Sequence, residues 1–370
     1  MTQILRVAHV GSGRTGRIVL RLILNTPSLE LVSQYVHSPD KVGRDSGELI
    51  GEPPTGILTT QDFDAFLASD ADCVTYLATG MGRAVDDVVE QHCAILASGK
   101  NIVTTALGEL IHPVTLGAAA LTKLQNASVA GGSSLIAAGI APGFAMDLLP
   151  VHAATMSAAP TRIAASERIL CGSYSVPGFF AAFGFGTTPA VDFKAYQPGT
   201  GVHLFGTSIR LMADALEWHL DEIRDRKDVA TTLHDYSCPA GKVPAGTIIS
   251  VRITAEGIVN GQPRLAISEI WSLSDEVVDD WDPRLTPNAP PRLTRITVDG
   301  TPSVNLDLAL GGTPLPGADA TAARVINAIA PVCAADPGVY GAMDLPITPA
   351  FSASTRHRQE APPADGASSS

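Results

Sequence analysis

Cysteine is scarce. The five present, Cys73, Cys93, Cys171, Cys238 and Cys333, lie far apart and form neither a C-x-x-C nor a metal-ligand pair. That spacing argues against a disulfide framework and against a cysteine-held metal. No metal is expected, and the thiols read as buried and free. Positive charge is also short, with 25 Lys and Arg against 37 Asp and Glu, for a net charge of −12. With no basic stripe, nucleic acid is not expected as a partner. Long apolar runs are missing too. The stretch 137–150 is short and broken by Gly139, Pro142, Gly143 and Asp147, so no membrane span or membrane partner is expected. The first strand begins within a few residues of Met1, which leaves no room for a signal peptide. A cytoplasmic location is therefore expected. Aromatic residues make up 5% of the chain, so a local concentration of them carries information.

What is present is a 45% hydrophobic chain of 370 residues, enough for a sizeable core and two domains. The apolar run Ile4 to Val10 leads into Gly11-Ser12-Gly13-Arg14-Thr15-Gly16 and then into Arg17 to Leu24, which reads as strand, tight turn and helix. In that context the three glycines serve different ends. The first permits the turn itself, the second the close approach of backbone to a pyrophosphate, and the third close packing of helix on strand. An ordinary glycine turn in another α/β fold is the alternative. Strands are expected at Leu29 to His37, Gly56 to Thr60, Asp72 to Ala78, Asn101 to Thr105 and Ala127 to Ala130, with helices at Asp86 to Ser98 and Pro113 to Leu124. The alternation predicts an α/β Rossmann domain, a doubly wound parallel sheet, over residues 1–150.

The pattern then changes. Thr161 to Leu170, Gly246 to Ile258, Arg264 to Leu273, Arg292 to Val298 and Ser303 to Leu308 read as strands, with helix around His203 to Trp218. These predict an α+β domain with a mixed or antiparallel sheet over 151–315, a site for substrate and for a homodimer contact. The helical pattern Ala318 to Ile329 is expected to return to the first domain within 316–346. Residues 352–370, rich in Ser, Pro and Ala, read as a disordered tail, and Asp275 to Pro291 as an acidic surface loop.

The tip of the second strand carries no acid to hold a ribose 2′-hydroxyl. His37, Ser38, Lys41 and Arg44 lie there instead, with Arg14 inside the glycine turn. Such side chains suit a 2′-phosphate, so NADP is expected, with NAD also open. Two further strand ends should meet the cofactor. One is Ala78-Thr79-Gly80. The other begins at Thr104 and reaches Glu109, which stands among Leu107, Leu110 and Ile111 and suits a general base or acid, or else merely starts the next helix. A third segment, Ser133 to Asp147, includes Ala141, Pro142 and Gly143, and its rigid loop could press on the nicotinamide.

Taken together, the glycine turn, Thr-Thr-x-x-Gly-Glu at 104–109, Gly-Ile-Ala-Pro-Gly-Phe at 139–144 and Thr-Ala-Ala-Arg-Val-Ile-Asn-Ala-Ile-Ala-Pro at 321–331 resemble the 2,4-diaminopentanoate dehydrogenase family and its amine dehydrogenase relatives, often labelled dihydrodipicolinate reductase-like. The likeness runs from Leu5 to about Pro346, and Ala141 stands where Asn is expected. The resemblance implies reversible conversion of an amine to a carbonyl, with ammonia and NAD(P)H. It places the proton shuttle on Glu109, which matches the family's catalytic glutamate. The His-His pair and lysine of true dihydrodipicolinate reductases are absent, which argues against an acidic substrate.

The aromatic run Tyr174, Phe179, Phe180, Phe183 and Phe185 fits a pocket wall, or else plain core. With Phe144, Met146, His203 and Trp271 it makes a candidate pocket for a small apolar carbonyl or amine. His9 reads as a satisfied core histidine and His92 as a surface one. A reductase of the dihydrodipicolinate or homoserine type, without ammonia chemistry, and a non-catalytic dinucleotide sensor remain the competing expectations.

Overall fold

Short apolar strands and amphipathic helices alternate as far as Ala137, and the backbone follows them. The computed structural model describes residues 4–78, 83–174, 178–189, 193–239, 241–274, 280–284 and 290–347. The first unit contains β1 (Leu5–Val10), α1 (Arg14–Asn25), β2 (Leu29–Tyr35), β3 (Thr59–Thr60), α2 (Phe63–Leu67), β4 (Cys73–Tyr76), α3 (Val85–Ala97), β5 (Asn101–Thr104), α4 (Ala118–Gly131) and β6 (Ser134–Ala137). Every residue of β4 and β6 is buried, the mark of central strands covered on both faces.

The second unit contains α5 (Leu148–Ala154), β7 (Arg162–Leu170), α6 (Phe179–Ala182), α7 (Thr200–Ala215), β8 (Glu222–Thr231), β9 (Tyr236–Cys238), β10 (Gly241–Val243), β11 (Ile248–Val259), β12 (Gln262–Ser272), β13 (Arg292–Asp299) and β14 (Val304–Leu310). Its main sheet has the order β14-β13-β7-β12-β11-β8. Only the β7–β12 pair is parallel, so the sheet is mixed. The β11–β12 hairpin turns on Asn260-Gly261, both with positive φ (52° and 70°), the conformation that matches strand twist in a two-residue turn.

The chain then returns. The helix α8 (Pro316–Ala334) packs along α1, with Ala322, Val325, Ile326 and Ile329 in one core cluster with Val19, Leu20 and Ile23. A last strand, β15 (Gly338–Tyr340), pairs with β6 and completes a seven-stranded parallel sheet, β15-β6-β5-β4-β1-β2-β3. The fold is thus a Rossmann-like parallel sheet joined to a mixed-sheet α+β unit.

Some local expectations change. Residues 127–130 form the last turns of α4 rather than a strand, and the strand lies at Ser134–Ala137. Small residues such as Ala127, Ser128 and Ala130 carry no period-two signal, so helix propagation continues to Gly131. The helix expected from Pro113 starts at Ala118, after a 3₁₀ turn at Pro113–Leu116 and a break at Gly117. His92 is fully buried, not at the surface, because its ring nitrogens meet the Val88 carbonyl (2.7 Å) and the Thr104 hydroxyl (3.0 Å). His9 is buried, but only Nδ1 has a partner, Thr75 Oγ1 at 2.8 Å; Nε2 has none among the described residues. Burial lowers its pKa to about 4, so it is neutral under the glycine turn.

Candidate active site

The glycine turn stands between β1 and α1 at the carboxyl edge of the parallel sheet. At Gly11 φ is 120°, and a Cβ there would lie 2.9 Å from the Leu77 carbonyl carbon, so the turn lies hard against the end of β4. Around Gly13, by contrast, a Cβ would meet nothing within 4 Å. Gly13 caps α1 with no side-chain hydrogen bond, and the first turn of the helix holds no acid. Free N-terminal amides and open space above them fit a pyrophosphate.

Lys41 follows the tip of β2, and its Nζ donates to Ser12 Oγ at 2.9 Å, so the two segments meet in one cradle. The His37 ring packs edge-on to Tyr35, with centroids 5.1 Å apart. Partial burial, then the charge of Arg83, holds its pKa below the ordinary value. Arg83 escaped the sequence reading. It donates to the Tyr76 hydroxyl (2.8 Å) and to Gln91 Oε1 (3.0 Å). Arg14 and Arg44 are exposed, and Ser38, Thr15 and Ala78 half-buried. Thr79 and Gly80 lie outside the described residues. The Thr104 hydroxyl is taken up by His92 Nε2 and the Ala106 amide, and so is turned into the sheet.

The end of β5 runs into a 3₁₀ turn, Gly108–Ile111, that carries Glu109. Three elements border this turn. Pro142 Cγ lies 3.7 Å from where a Cβ on Gly108 would sit, and Ile111 Cδ1 lies 2.9 Å from the equivalent point on Gly143. On the other side α7 packs on the turn, tied down by His112 Nε2 to Asp214 Oδ2 (2.6 Å) and by Thr115 Oγ1 to Thr207 Oγ1 (3.3 Å). The Glu109 side chain is half-buried, and no described residue donates a hydrogen bond to it.

Asp147 fixes the loop. It is fully buried and accepts from the Gly143 amide (2.8 Å), the Leu148 amide (2.7 Å) and Ser208 Oγ of α7 (2.8 Å). Burial raises its pKa, against the pull of those donors and of Arg324. The Arg324 guanidinium lies 4.9 Å from the Phe144 ring centroid, so α8 also braces the loop. Ala141 and Pro142 are half-buried on it, and Met146 is core.

The aromatic residues cluster. Phe183 lies 4.8 Å from Phe179 and 5.1 Å from Trp271; Tyr174 lies 5.5 Å from Phe179 and 6.4 Å from Trp271 (all ring centroids). Phe180 joins through Phe185 at 5.7 Å. His203 is exposed on α7, and none of the described ring contacts links it to the cluster. Burial, and then Cys171, raises the pKa of the Tyr174 hydroxyl, while Arg292 and Arg14 pull it down.

Beside it lies a group that sequence reasoning missed. Glu167 of β7 is opposite Glu269 of β12 in the parallel register, and Thr294 of β13 is opposite Glu167. Glu167 is fully buried. It pairs with Arg292 through both carboxylate oxygens (Nε to Oε1, 2.6 Å) and accepts from Thr294 Oγ1 at 2.9 Å. Glu269 is half-buried and accepts from Trp271 Nε1 at 3.0 Å. Burial, then the charge of Glu167, pushes its carboxyl up to about 7, against the pull of Arg292 and Trp271. The available signal was a glutamate at an inward position of each strand, in phase with Ala165 and Ile267 of the core.

Comparison with known proteins follows the same division. Residues 144–361 match the model of the 2,4-diaminopentanoate dehydrogenase C-terminal domain, and residues 5–104 that of the dihydrodipicolinate reductase N-terminus. An amine dehydrogenase of Streptomyces virginiae is 31% identical over 351 residues, 92% of this chain and 96% of that protein. A 2,4-diaminopentanoate dehydrogenase of Acetoanaerobium sticklandii is 24% identical over 360 residues, 92% and 93% of the two chains. The solved structure of an amine dehydrogenase from Mycobacterium smegmatis superposes with a TM-score of 0.73 over 94% of this chain and 98% of that one, at 18% identity, a likeness of fold. The chain belongs to the 2,4-diaminopentanoate dehydrogenase family and is a nicotinamide-dependent oxidoreductase of the class acting on CH–NH2 donors.

Proposed function

We propose that the protein is an NADP-preferring amine dehydrogenase that interconverts small aliphatic or cyclic carbonyl compounds and their amines, with ammonia as the nitrogen source. The observation that carries this reading is the placement of Glu109. Its carboxylate has no described protein donor, and its turn is enclosed by the end of β5, the 139–144 loop and α7. A carboxylate so placed can take a proton from ammonium, pass protons through the carbinolamine, and stabilise the cationic iminium that follows. The glycine turn, Ser12 and Lys41 would hold the dinucleotide, and that cofactor supplies the hydride. Lys41, with Arg44, Ser38 and His37 near the same tip, favours NADP through contact with the 2′-phosphate. The residues of the aromatic cluster line the substrate side and exclude water from the iminium.

The test follows NADPH absorbance with cyclohexanone or a short aldehyde, with and without concentrated ammonium. Consumption that requires ammonium supports the reading. Consumption without it points to a carbonyl reductase instead, and tight NADPH binding without turnover on a broad carbonyl panel points to a non-catalytic sensor.

A further inference from the structure

Glu109 stands on a 3₁₀ turn of four residues, Gly108–Ile111. Such turns are short and their hydrogen bonds poorly aligned, so bracing from outside decides where a side chain on them points. No described residue donates to the Glu109 carboxylate, which leaves its backbone to set its direction. The Glu109 carbonyl accepts from the His112 amide (3.0 Å) and lies 3.2 Å from Thr115 Oγ1. That hydroxyl is also 2.9 Å from the His112 carbonyl and 3.3 Å from Thr207 Oγ1. A threonine hydroxyl has one proton to give and two lone pairs. Thr115 gives its proton to the carbonyls of its own turn, so Thr207 is the donor between the two threonines. A chain of hydrogen bonds thus runs from Thr207 through Thr115 to the backbone of Glu109.

Thr207 belongs to α7, in the second unit. Asp214 follows it about two turns later, on the same stripe of the helix, and meets His112 Nε2 at 2.6 Å. The helix therefore grips the segment just after Glu109 at two points, His112 and Thr115. Ser208, beside Thr207, donates to Asp147 Oδ2, the same oxygen that accepts from the Gly143 amide of the 139–144 loop. The helix itself is firmly seated. Phe205, Ile209 and Met212 are buried where it packs on β8, β11 and β12, and Asp225 of β8 accepts from the Gly199 and Gly201 amides at its start (3.3 and 2.9 Å). One helix, anchored on the mixed sheet, thus holds both the Glu109 turn and the loop beside it. Resting on the role of Glu109 proposed above, we propose that Thr207 and Asp214 are positioning residues: from the second unit they aim the Glu109 turn at the reacting atoms.

The test measures kcat and KM for NADPH in ammonium-dependent turnover of a carbonyl substrate that the wild type accepts. Thr207→Val, Thr207→Ser and Asp214→Ala are compared with the wild type, and Thr207→Val and Asp214→Ala are also made on a Glu109→Gln background, read at high enzyme concentration. Thr207→Val and Asp214→Ala should each lower kcat about tenfold, the scale of a slightly misplaced catalytic group. KM for NADPH should stay within about twofold, because the cofactor cradle is untouched. Thr207→Ser, which keeps the hydroxyl, should restore kcat. On the Glu109→Gln background neither change should alter the residual rate by more than about twofold, since residues that act through one group are not additive. Unchanged kcat in either single variant overturns the proposal, as does an equal fractional loss on the Glu109→Gln background. The Asp214 side chain is 63% exposed, so Asp214→Ala decides the matter even if Thr207→Val fails to fold. Full turnover by Glu109→Gln overturns the proposed function of Glu109, and this inference with it. Collapse of Glu109→Gln beside fully active Thr207→Val and Asp214→Ala overturns this inference alone.

Discussion

Replacing Glu269 with Gln should change how stability depends on pH, and the size of the change follows from the site. Burial and the facing Glu167 raise the Glu269 carboxyl from 4.5 to about 7. The native protein therefore holds this proton more tightly than the unfolded chain does. The stabilisation is fully present below about pH 4.5 and is lost as pH rises through about 7. At roughly 1.36 kcal/mol per pH unit, the full span is about 3 kcal/mol. Glu167 itself is bonded to Arg292 and Thr294 in the wild type and is untouched by the substitution. Glutamine imitates the protonated acid: its carbonyl can still accept from Trp271 Nε1, and it cannot ionise. Unfolding free energies of the wild type and the variant, measured between pH 4.5 and 8.5 by tryptophan fluorescence in urea, should diverge. Titrations common to both proteins cancel in the difference, and the wild type should lose about 3 kcal/mol relative to the variant. A difference that stays flat across this range, or that grows in the opposite direction, refutes the account of this carboxylate.

Further outcomes follow from other contacts. Arg292→Leu leaves the buried Glu167 without its cation and should cost about 3–5 kcal/mol of stability, read by thermal melting. Lys41→Ala removes the bond to Ser12 and one candidate phosphate ligand; KM for NADPH should rise roughly tenfold and that for NADH much less. Equal losses for the two cofactors would remove the 2′-phosphate argument. Gly131→Ala puts a Cβ at 1.9 Å from the Leu96 carbonyl oxygen, where α4 crosses α3. Because a backbone atom cannot yield as a side chain can, a loss of about 2–4 kcal/mol is expected in the melting curve, with cofactor affinity unchanged.

The parts of the fold legible in the sequence were those written locally. The glycine turn, the apolar runs of β1, β4 and β5, and the long strands β11 and β12 each carry their own periodicity. The failures have physical causes. The segment after Pro113 was misplaced because Gly117 divides a 3₁₀ turn from a helix, and residues 127–130 because small side chains fit either helix or strand. The strand β8 (Glu222–Thr231) was missed because its charged residues, from Glu222 to Asp228, read as solvated chain; it is the edge strand of its sheet, where such charge is at home. The three-residue β15 is too short to show a period. Glu109 was accessible from a motif at a strand end. Glu167 and Glu269 each stand at an inward position of a strand, but their meeting with Arg292 was not legible, because three distant strands bring the group together and nothing in any one strand records the register.

The central claim is that Glu109 handles the protons of amine–carbonyl exchange. The direct measurement is ammonium-dependent NADPH oxidation by Glu109→Gln with a carbonyl substrate that the wild type accepts, made beside a titration of NADPH binding to the same variant. The account predicts that binding survives within about twofold while turnover falls by at least about a hundredfold, the scale of lost acid–base catalysis. Turnover close to that of the wild type, with ammonium still required, would contradict it.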